Sequence, residues 1–294
     1  MTGQLELTGL SVHVGGADGG SGAPAARTLV HGVDVTVSPG ERLGVIGESG
    51  SGKSLTALAA LGLLPYPLTA AGSAVIGTPD GPVDVVGAPA RRLDRVRGTT
   101  ISAVFQEPLA SLDPLMRVGR QLAWPLRHHR GLRGDALRRA VLDALADVQL
   151  AEPERIARSF IHEISGGQRQ RVAIALALAA DPRILIADEP TTALDVTVQA
   201  GVLDLLQREV TERGMTLVFI SHDLPVLAGI ADRVLVMRDG RQVELGPTAQ
   251  ILHAPGEDYT AELVAASRAL DDFLPPVAGA GGSDGARPAG GSDA

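Results

Sequence analysis

Two stretches near the start of the chain alternate between apolar and polar residues, as half-buried β-strands do. They cover residues 4–14 and 29–37, and the glycine- and alanine-rich segment 15–27 between them predicts a flexible loop. A short apolar run, 42–46, then enters a glycine-rich loop, and residues 54–64 are again apolar. This order predicts a strand, a loop and a helix in succession.

The second half of the chain alternates between apolar, strand-like runs and segments with helical periodicity. The predicted elements, in order, are a helix from Gln168 to Ala179, a strand over 184–188, a helix over 196–213, a strand over 216–221, a helix over 224–231 and a strand over 233–238. Because strands that alternate with helices pair side by side in the same direction, the pattern predicts a parallel α/β sheet.

Between these regions, residues 105–165 have helical periodicity and many arginines, and we interpret them as a helical insertion. The arginines indicate either a solvated helix face or a surface beside anionic lipid headgroups, and both readings stay open. At the other end, the chain from about Pro275 is rich in Gly, Ala, Ser and Pro without periodicity. We therefore expect a domain over 1–270 and a disordered tail over 271–294.

Composition restricts the class of protein. A chain of 294 residues that is 45% hydrophobic can bury a sizeable core, and its net charge of -8 argues against nucleic acid as a partner. It has no cysteine, which excludes disulfides, thiolate catalysis and cysteine-ligated metal sites. The first ten residues lack the features of a signal peptide, and the apolar stretch 172–187 carries charges in its second half. We expect a cytoplasmic protein whose membrane contact is peripheral.

Residues 47–54, Gly-Glu-Ser-Gly-Ser-Gly-Lys-Ser, match the phosphate-loop pattern G-x-x-x-x-G-K-[ST], between a predicted strand and a predicted helix. In such a loop, backbone N–H groups surround phosphate oxygens, the lysine reaches the β and γ phosphates, and the final hydroxyl binds Mg2+. The residues expected to bind nucleotide here are Gly47, Glu48, Ser49, Gly50, Ser51, Gly52, Lys53 and Ser54.

Lys53 is the only lysine in a chain with 26 basic residues. If these residues were a glycine-rich turn that arose by chance, the only lysine would be found there only by coincidence. The wide, planar guanidinium of arginine does not act as the compact point charge that fits inside a loop of backbone amides. The placement of Lys53 therefore favours a working phosphate loop.

The predicted strand 184–188 ends in two carboxylates, Asp188 and Glu189. Asp188 is expected at the carboxyl edge of the sheet, where it would help to hold Mg2+, and Glu189 could then orient a water molecule. Alone, the pair could be an ordinary helix-capping turn. Next to a phosphate loop, the catalytic interpretation is stronger.

A second anion-binding pattern precedes the helix that follows residue 168. Ser165, Gly166, Gly167 and Gln168 offer a hydroxyl and backbone N–H groups at a helix N-terminus. One nucleotide does not need two such sites. A head-to-tail dimer would explain them, since this segment could close over the γ-phosphate held by the phosphate loop of a partner.

The ordered motifs GESGSGKS, VFQEP, ISGGQRQRV, ILIADEP, TALD and ISHD resemble the nucleotide-binding domain of an ABC transporter, over about residues 4–265. The resemblance implies an α/β P-loop fold with a RecA-like parallel sheet core, an antiparallel β subdomain and a helical subdomain at about 107–167. It also implies ATP as substrate and Mg2+ as cofactor. The spacing between Lys53 and Ser165 leaves no room for the long coiled coil of chromosome-maintenance ATPases.

The resemblance further assigns roles to four residues, each of which has a plain structural reading. Gln106 would bind Mg2+ and link the attacking water to the membrane subunits, and Glu189 would be the general base. Asp195 would communicate between two ATP sites, and His222 would contact the γ-phosphate. Taken singly, Gln106 is a loop amide, Asp195 a helix N-cap and His222 a residue after a strand.

Two further segments, FQEPLASLDPLMRVGRQL and HAPGEDYTAEL, are similar to the ATPases of peptide and nickel importers. This branch implies a second, different ABC ATPase subunit, two transmembrane permease subunits and an external substrate-binding protein. The chain would then act at the cytoplasmic face of the cell membrane. The cysteine-rich cluster that some members carry is absent. The sequence does not identify the transported solute.

Two other interpretations remain at this point. One is an ABC-type ATPase that acts as an assembly or regulatory factor without a membrane channel. The other is a degenerate half-site that binds ATP but leaves hydrolysis to its partner, against which Glu189 and His222 argue.

The adenine site departs from the family pattern. Related transporters stack adenine on an aromatic residue before the phosphate loop, but no Phe, Tyr or Trp precedes Tyr66 in this chain. The corresponding stretch offers only His13 or Val14. We expect modest ATP affinity and poor discrimination against GTP.

Overall fold

The computed structural model describes residues 4–15, 27–192 and 195–273. Most of the loop predicted over 15–27, the middle of the TALD motif and the tail from residue 274 therefore lie outside the described residues. None of the helices in the described ranges combines the length and hydropathy that crossing a membrane requires.

The strands form two sheets. They are β1 Leu5–Val14, β2 Arg27–Val37, β3 Arg42–Ile46, β4 Leu68–Ile76, β5 Val83–Asp84, β6 Ile101–Val104, β7 Ile184–Asp188, β8 Thr216–Ile220, β9 Arg233–Arg238 and β10 Arg241–Pro247. The first sheet is antiparallel, in the order β2-β1-β4-β5. The second has the order β10-β9-β3-β8-β7-β6, and all its pairs are parallel except β9 with β10.

Ten α-helices lie in the described part of the chain. They are α1 Lys53–Leu61, α2 Ala90–Val96, α3 Val118–Arg130, α4 Gly134–Asp147, α5 Pro153–Arg158, α6 Gly166–Leu178, α7 Val196–Glu212, α8 Leu224–Ile230, α9 Thr248–His253 and α10 Asp258–Phe273. The α/β class and the parallel core sheet are confirmed.

Two apolar cores lie on opposite faces of the six-stranded sheet. Helix α1 packs in the core that this sheet shares with the antiparallel sheet, through residues such as Ala57 and Leu61. Helices α3 to α8 contribute to the second core, around Leu122, Phe219 and Leu227. Because both faces of the sheet are covered, its central strands are mostly apolar, as in β7 and β8, where every residue is buried.

Several boundaries differ from the sequence pattern for local reasons. Helix α1 ends at Leu61, three residues early, because Gly62 adopts a left-handed C-cap with φ of 65°. The region 105–165 is less helical than its periodicity predicts, since its first full helix begins at Val118. Helix α10 extends to Phe273, three residues past the predicted boundary at 270.

Candidate active site

The carboxyl ends of four parallel strands bring the predicted site residues to one edge of the sheet. β3, β8, β7 and β6 are consecutive neighbours, and Asp188 pairs with Ile220 while Val45 pairs with the same Ile220 from the other side. The segments that follow these strands therefore emerge side by side. They carry the phosphate loop, His222, Glu189 and Gln106 respectively.

The phosphate loop needs glycine where the sequence has it. A Cβ on Gly47 would overlap the carbonyl oxygen of Met237 at the end of β9. Gly52, the N-cap of α1, has φ of 96°, which an L side chain rarely adopts. The hydroxyl of Ser51 is buried and has no hydrogen-bond partner among the described residues. A glycine-rich loop that contains an unpaired buried hydroxyl is suited to bind a phosphate group.

Lys53 begins α1 and is buried, with 6% of its surface exposed. Its Nζ donates hydrogen bonds to the carbonyl oxygens of Gly47, at 2.8 Å, and Glu48, at 3.0 Å. Burial lowers the pKa of Lys53, and the charges of Glu189 and Asp188 oppose that change. The only lysine of the chain thus lies inside the loop with carboxylates nearby.

Ser54 and Asp188 form the oxygen pair that the sequence predicted for Mg2+. The hydroxyl of Ser54 donates to Oδ1 of Asp188 over 3.0 Å. Asp188 is 7% exposed, and burial raises its pKa, although the Ser54 hydrogen bond lowers it and Glu189 raises it further. A buried carboxylate beside a hydroxyl is a donor set that a hard cation prefers.

Glu189 lies next to Asp188 but has different partners. Its Oε2 accepts a hydrogen bond of 2.9 Å from Thr192 and lies 3.3 Å from Nδ1 of His222. Its backbone has φ of 46°, unusual for a residue with a side chain, and its N–H donates to Ile220. The strained turn and two side-chain partners fix the direction of this carboxylate. Thr192 was not predicted from the sequence, because its role depends on the turn geometry.

Gln106 follows β6 at the same edge, and its side chain is exposed. Among the described residues, no hydrogen bond holds its amide. The structure brings it to the strand ends but does not fix it against Ser54 or Asp188.

The segment 165–168 lies at the N-terminus of α6. The Ser165 hydroxyl accepts a hydrogen bond from the N–H of Gln168, and the Gln168 side chain accepts one from the N–H of Ser165. In the described part of the chain, no hydrogen bond joins this segment to residues 47–54. Gly167 is packed closely, because a Cβ there would lie 2.6 Å from a methyl group of Val198 on α7.

Asp195 caps α7, where Oδ1 accepts a hydrogen bond of 3.1 Å from the N–H of Val198. This is the plain structural reading of the residue, and its side chain contacts none of the other site residues through a hydrogen bond in the described ranges. Nδ1 of His13, on β1, lies 3.0 Å from the hydroxyl of Thr28 on β2.

A sequence profile described as "ABC transporter" matches residues 30–192. The chain belongs to the ABC transporter family. Its nucleotide-binding fold is that of an ATPase cassette.

Two relatives of this ABC protein are named as ATP-binding proteins of transport systems. The chain is 46% identical over 264 residues to the peptidoglycan transport ATP-binding protein YejF of Agrobacterium fabrum. The aligned residues cover 89% of this chain and 46% of that protein. The chain thus spans about half the length of that relative. A Brucella melitensis protein named as a peptide import ATP-binding protein is 43% identical over 270 residues, which is 92% of this chain and 79% of the relative.

A solved structure supports the same cassette fold. It is the dimeric, post-hydrolysis state of an ATP-binding cassette bound to ADP and phosphate, with a TM-score of 0.70 and 28% identity to this ABC chain. The match covers 83% of this chain and 98% of that one.

Proposed function

We propose that this chain is the ATP-hydrolysing subunit of an importer for peptides, or for nickel or other metal complexes, and that it acts through partner membrane subunits at the cytoplasmic face of the membrane. The identity of 43% to 46% with proteins named for peptide import and peptidoglycan transport supports this proposal. So does the clustering of the phosphate loop, Asp188, Glu189 and His222 at one sheet edge.

ATP phosphates would lie in the loop formed by residues 47–54. Backbone N–H groups and the N-terminus of α1 would bind their oxygens, and Lys53 would turn from the loop carbonyls towards the β and γ phosphates. The unpaired Ser51 hydroxyl fits a phosphate oxygen as its partner. This set of donors recognises triphosphate and carries no base specificity.

Ser54 and Asp188 would hold Mg2+, with Gln106 as a further ligand. Bound Mg2+ would neutralise charge on the phosphate oxygens. The described residues contain no group of three or more His, Asp and Glu side chains arranged as a metal site. This fits Mg2+, which commonly takes only one or two protein oxygens and completes its shell with water and phosphate.

Hydrolysis would use Glu189 as the general base and His222 as a γ-phosphate contact. The interaction between Nδ1 of His222 and Oε2 of Glu189, 3.3 Å long, is the observation that carries this assignment, because it brings the proposed base and the proposed phosphate contact together at the same sheet edge as the phosphate loop. Glu189 would accept the proton of that water. His222, 58% exposed in its side chain, is free to turn towards phosphate.

A second ATPase subunit would complete the site. Ser165 and Gln168 are hydrogen-bonded to each other, and no hydrogen bond among the described residues joins the segment Ser165, Gly166, Gly167 and Gln168 to the phosphate loop of the same chain, which fits a role in closing over nucleotide held by a partner. Asp195 would then lie between two such sites. We expect the partner to be a different ABC ATPase, so that two unlike ATPases serve two permease subunits and an external substrate-binding protein.

The domain division follows from the same proposal. We infer a nucleotide-binding domain over about residues 1–270, with the helical part at about 107–167 reaching the permease subunits, and a tail over 271–294 whose first three residues are the end of α10. Nucleic acid has no part in this function.

Copurification tests the transporter role. The full chain, expressed with its genomic neighbours and extracted in detergent, is expected to bring down two permease subunits and a second ATPase. A chain that hydrolyses ATP at full rate, alone and without membrane proteins, would instead favour an ABC-type assembly or regulatory factor.

A further inference from the structure

A cavity of about 710 Å³ lies away from the candidate active site, and its volume is in the range of small-molecule sites. Its walls come from the turn between β4 and β5, helix α2, the end of α3 and the segment between α6 and β7. Thr100 and Arg183, which line it, directly precede β6 and β7. The cavity therefore lies at the amino edge of the parallel strands, separated from Asp188 by the length of β7, roughly 16 Å.

Four arginines from three separate parts of the chain line this cavity, which we call the arginine cavity. Arg92 and Arg95 lie on α2, Arg130 is the last residue of α3, and Arg183 precedes β7. Nη2 of Arg92 donates a hydrogen bond of 3.3 Å to the carbonyl oxygen of Pro82, at the mouth of the turn between β4 and β5. Within the described ranges, the other three side chains make no ion pair and no hydrogen bond.

The carboxylates around the arginine cavity do not neutralise it. Asp80 and Asp181 line it too, which leaves four guanidinium groups against two carboxylates. Asp181 pairs with Arg213, outside the cavity, at 3.4 Å, and Asp80 forms no ion pair in the part of the chain that the structure describes. Arg130 also borders a neighbouring cavity with Asp147, but Asp147 pairs with Arg213 as well, at 3.5 Å. The lining of the arginine cavity therefore has an excess of positive charge.

Backbone hydrogen bonds fix the walls of the arginine cavity relative to one another. The carbonyl oxygen of Thr100 accepts from the N–H groups of Arg183, at 3.0 Å, and Ile184, at 2.9 Å, and the N–H of Thr100 donates to Val96 at 2.8 Å. Thr100 thus joins the end of α2 to the segment before β7. It is 6% exposed, and its hydroxyl makes no hydrogen bond to the described residues. A fixed wall with unused donors is suited to a ligand that accepts hydrogen bonds.

We propose that the arginine cavity is a second anion site, which binds a phosphorylated small molecule independently of the phosphate loop. Planar guanidinium groups match the geometry of phosphate oxygens and bind them with two parallel hydrogen bonds. Because the arginines surround a concave site, a small soluble ligand fits them better than a flat bilayer surface does. A bound phosphate group would join the end of α3 to the amino edge of the sheet.

Arginine-selective modification with phenylglyoxal, followed residue by residue by mass spectrometry, tests the site in the full chain. Inorganic pyrophosphate in EDTA is the probe, and sodium chloride of equal ionic strength controls for screening. Pyrophosphate is expected to slow the modification of Arg95, Arg130 and Arg183 roughly threefold or more. Arg120 and Arg139, which are exposed and have no ion pair in the described ranges either, should react at an unchanged rate.

Two results of the labelling would overturn the inference. One is an unchanged rate at Arg95, Arg130 and Arg183, and the other is equal slowing at Arg120 and Arg139, which would mean unspecific binding of anions to exposed arginines. Vesicles of phosphatidylglycerol are expected to protect none of these residues. Protection by the vesicles but not by pyrophosphate would also contradict the inference, because the ligand would then be a lipid surface.

Calorimetric titration of variants with pyrophosphate gives a second measurement. In a Lys53→Ala background, which weakens the phosphate loop, Arg95→Gln combined with Arg183→Gln is expected to lower the affinity at least about tenfold, since two charge-assisted contacts are lost. The matched control, Arg120→Gln combined with Arg139→Gln, should leave the affinity unchanged. Equal affinities in the two double variants would refute the site.

Both measurements are made without ATP, so they are separate from the proposed function. If the wild type fails to bind Mg-ATP while pyrophosphate protects the arginine cavity, the proposed function falls and this inference stands. If it binds Mg-ATP and the cavity is not protected, only the inference falls. Should a double variant not fold, the labelling of the wild type decides.

Discussion

Asp188 and Glu189 are neighbours in the chain, yet their surroundings differ. Asp188 is buried at the end of β7 and bonded to Ser54, while Glu189 turns away to Thr192 and His222. The local turn, with φ of 46° at Glu189, separates the two directions. Adjacent carboxylates can therefore take different tasks, one beside the expected metal and one beside the expected water.

Replacing Glu189 by Gln removes the proposed base and keeps the shape of the side chain. ATP turnover is expected to fall about 10²- to 10³-fold, within the usual range for a general base, while Mg-ATP binding persists and a closed dimer accumulates. Steady-state phosphate release and size-exclusion chromatography measure the two effects. The matched control is Glu107→Gln, at an exposed carboxylate beside Gln106, which should turn over normally. Unchanged turnover in the Glu189 variant would remove it from the role of base.

Asp188 favours function at the expense of stability. Its pKa is raised in the folded protein, so the protonated form adds stability that is complete below the ordinary value of 3.8 and is lost as the pH rises through the folded pKa. Asp188→Asn is therefore expected to raise the free energy of unfolding at neutral pH, with a gain that shrinks as the pH falls towards 3.8, and to abolish Mg-dependent turnover. Urea denaturation between pH 3.8 and neutral pH measures the gain in unfolding free energy. Asp80 is exposed, so Asp80→Asn is the control. A loss of stability at neutral pH would contradict the assignment.

The adenine end gives a prediction about specificity. We expect His13 or Val14 at the position where related transporters stack adenine on an aromatic residue, and Nδ1 of His13 lies 3.0 Å from the hydroxyl of Thr28. GTP is expected to bind within tenfold of ATP, a difference under about 1.4 kcal/mol. Competition of each nucleotide against a fluorescent analogue measures the ratio. A GTP affinity more than tenfold weaker would mean that another part of the site reads the base.

At the scale of elements, helix termini define the site. Helix α1 begins at Lys53 behind a left-handed glycine, α6 begins with a reciprocal Ser165–Gln168 cap, and α7 begins at the Asp195 cap. Each N-terminus presents backbone N–H groups and a partial positive charge. We propose that the N-terminus of α1 binds the phosphates of ATP and that the capped N-terminus of α6 closes over the nucleotide of a partner.

Gly166 and Gly167 allow a matched test of how α6 packs. A Cβ on Gly167 would press on Val198 of α7, whereas one on Gly166 meets no atom within 4 Å. Gly167→Ala is expected to lower the free energy of unfolding by about 1–3 kcal/mol, and Gly166→Ala to leave it equal or raise it by up to about 1 kcal/mol. Urea denaturation of the nucleotide-free chain makes the comparison. An equal loss of unfolding free energy in both variants would show that the contact between α6 and α7 does not cause the destabilisation.

At the scale of the whole molecule, the sequence predicted the parts that have strong periodicity. β3, β7 and β9 have the predicted bounds, because continuous apolar runs between turn signals identify buried parallel strands. It did not predict β4, β5, β6 and β10, or helices α2, α9 and α10. These elements are short, or they are stabilised by tertiary packing that no local pattern records.

The site shows the same division. Residues that belong to contiguous motifs, such as the phosphate loop and the Asp188–Glu189 pair, could be found from the sequence. Thr192 could not, because its hydrogen bond to Glu189 exists only after the chain has folded. The association of Arg238 with Tyr259 likewise depends on where α10 returns to the β9–β10 turn.

The single lysine allows the central claim, that the phosphate loop binds ATP, to be tested directly. A small amine-selective reagent can modify only Lys53 and the N-terminus of the chain, and mass spectrometry separates the two sites. The account predicts that Mg-ATP slows modification of Lys53 at least tenfold and leaves the N-terminus unaffected. Modification of Lys53 at the same rate with and without Mg-ATP would contradict it.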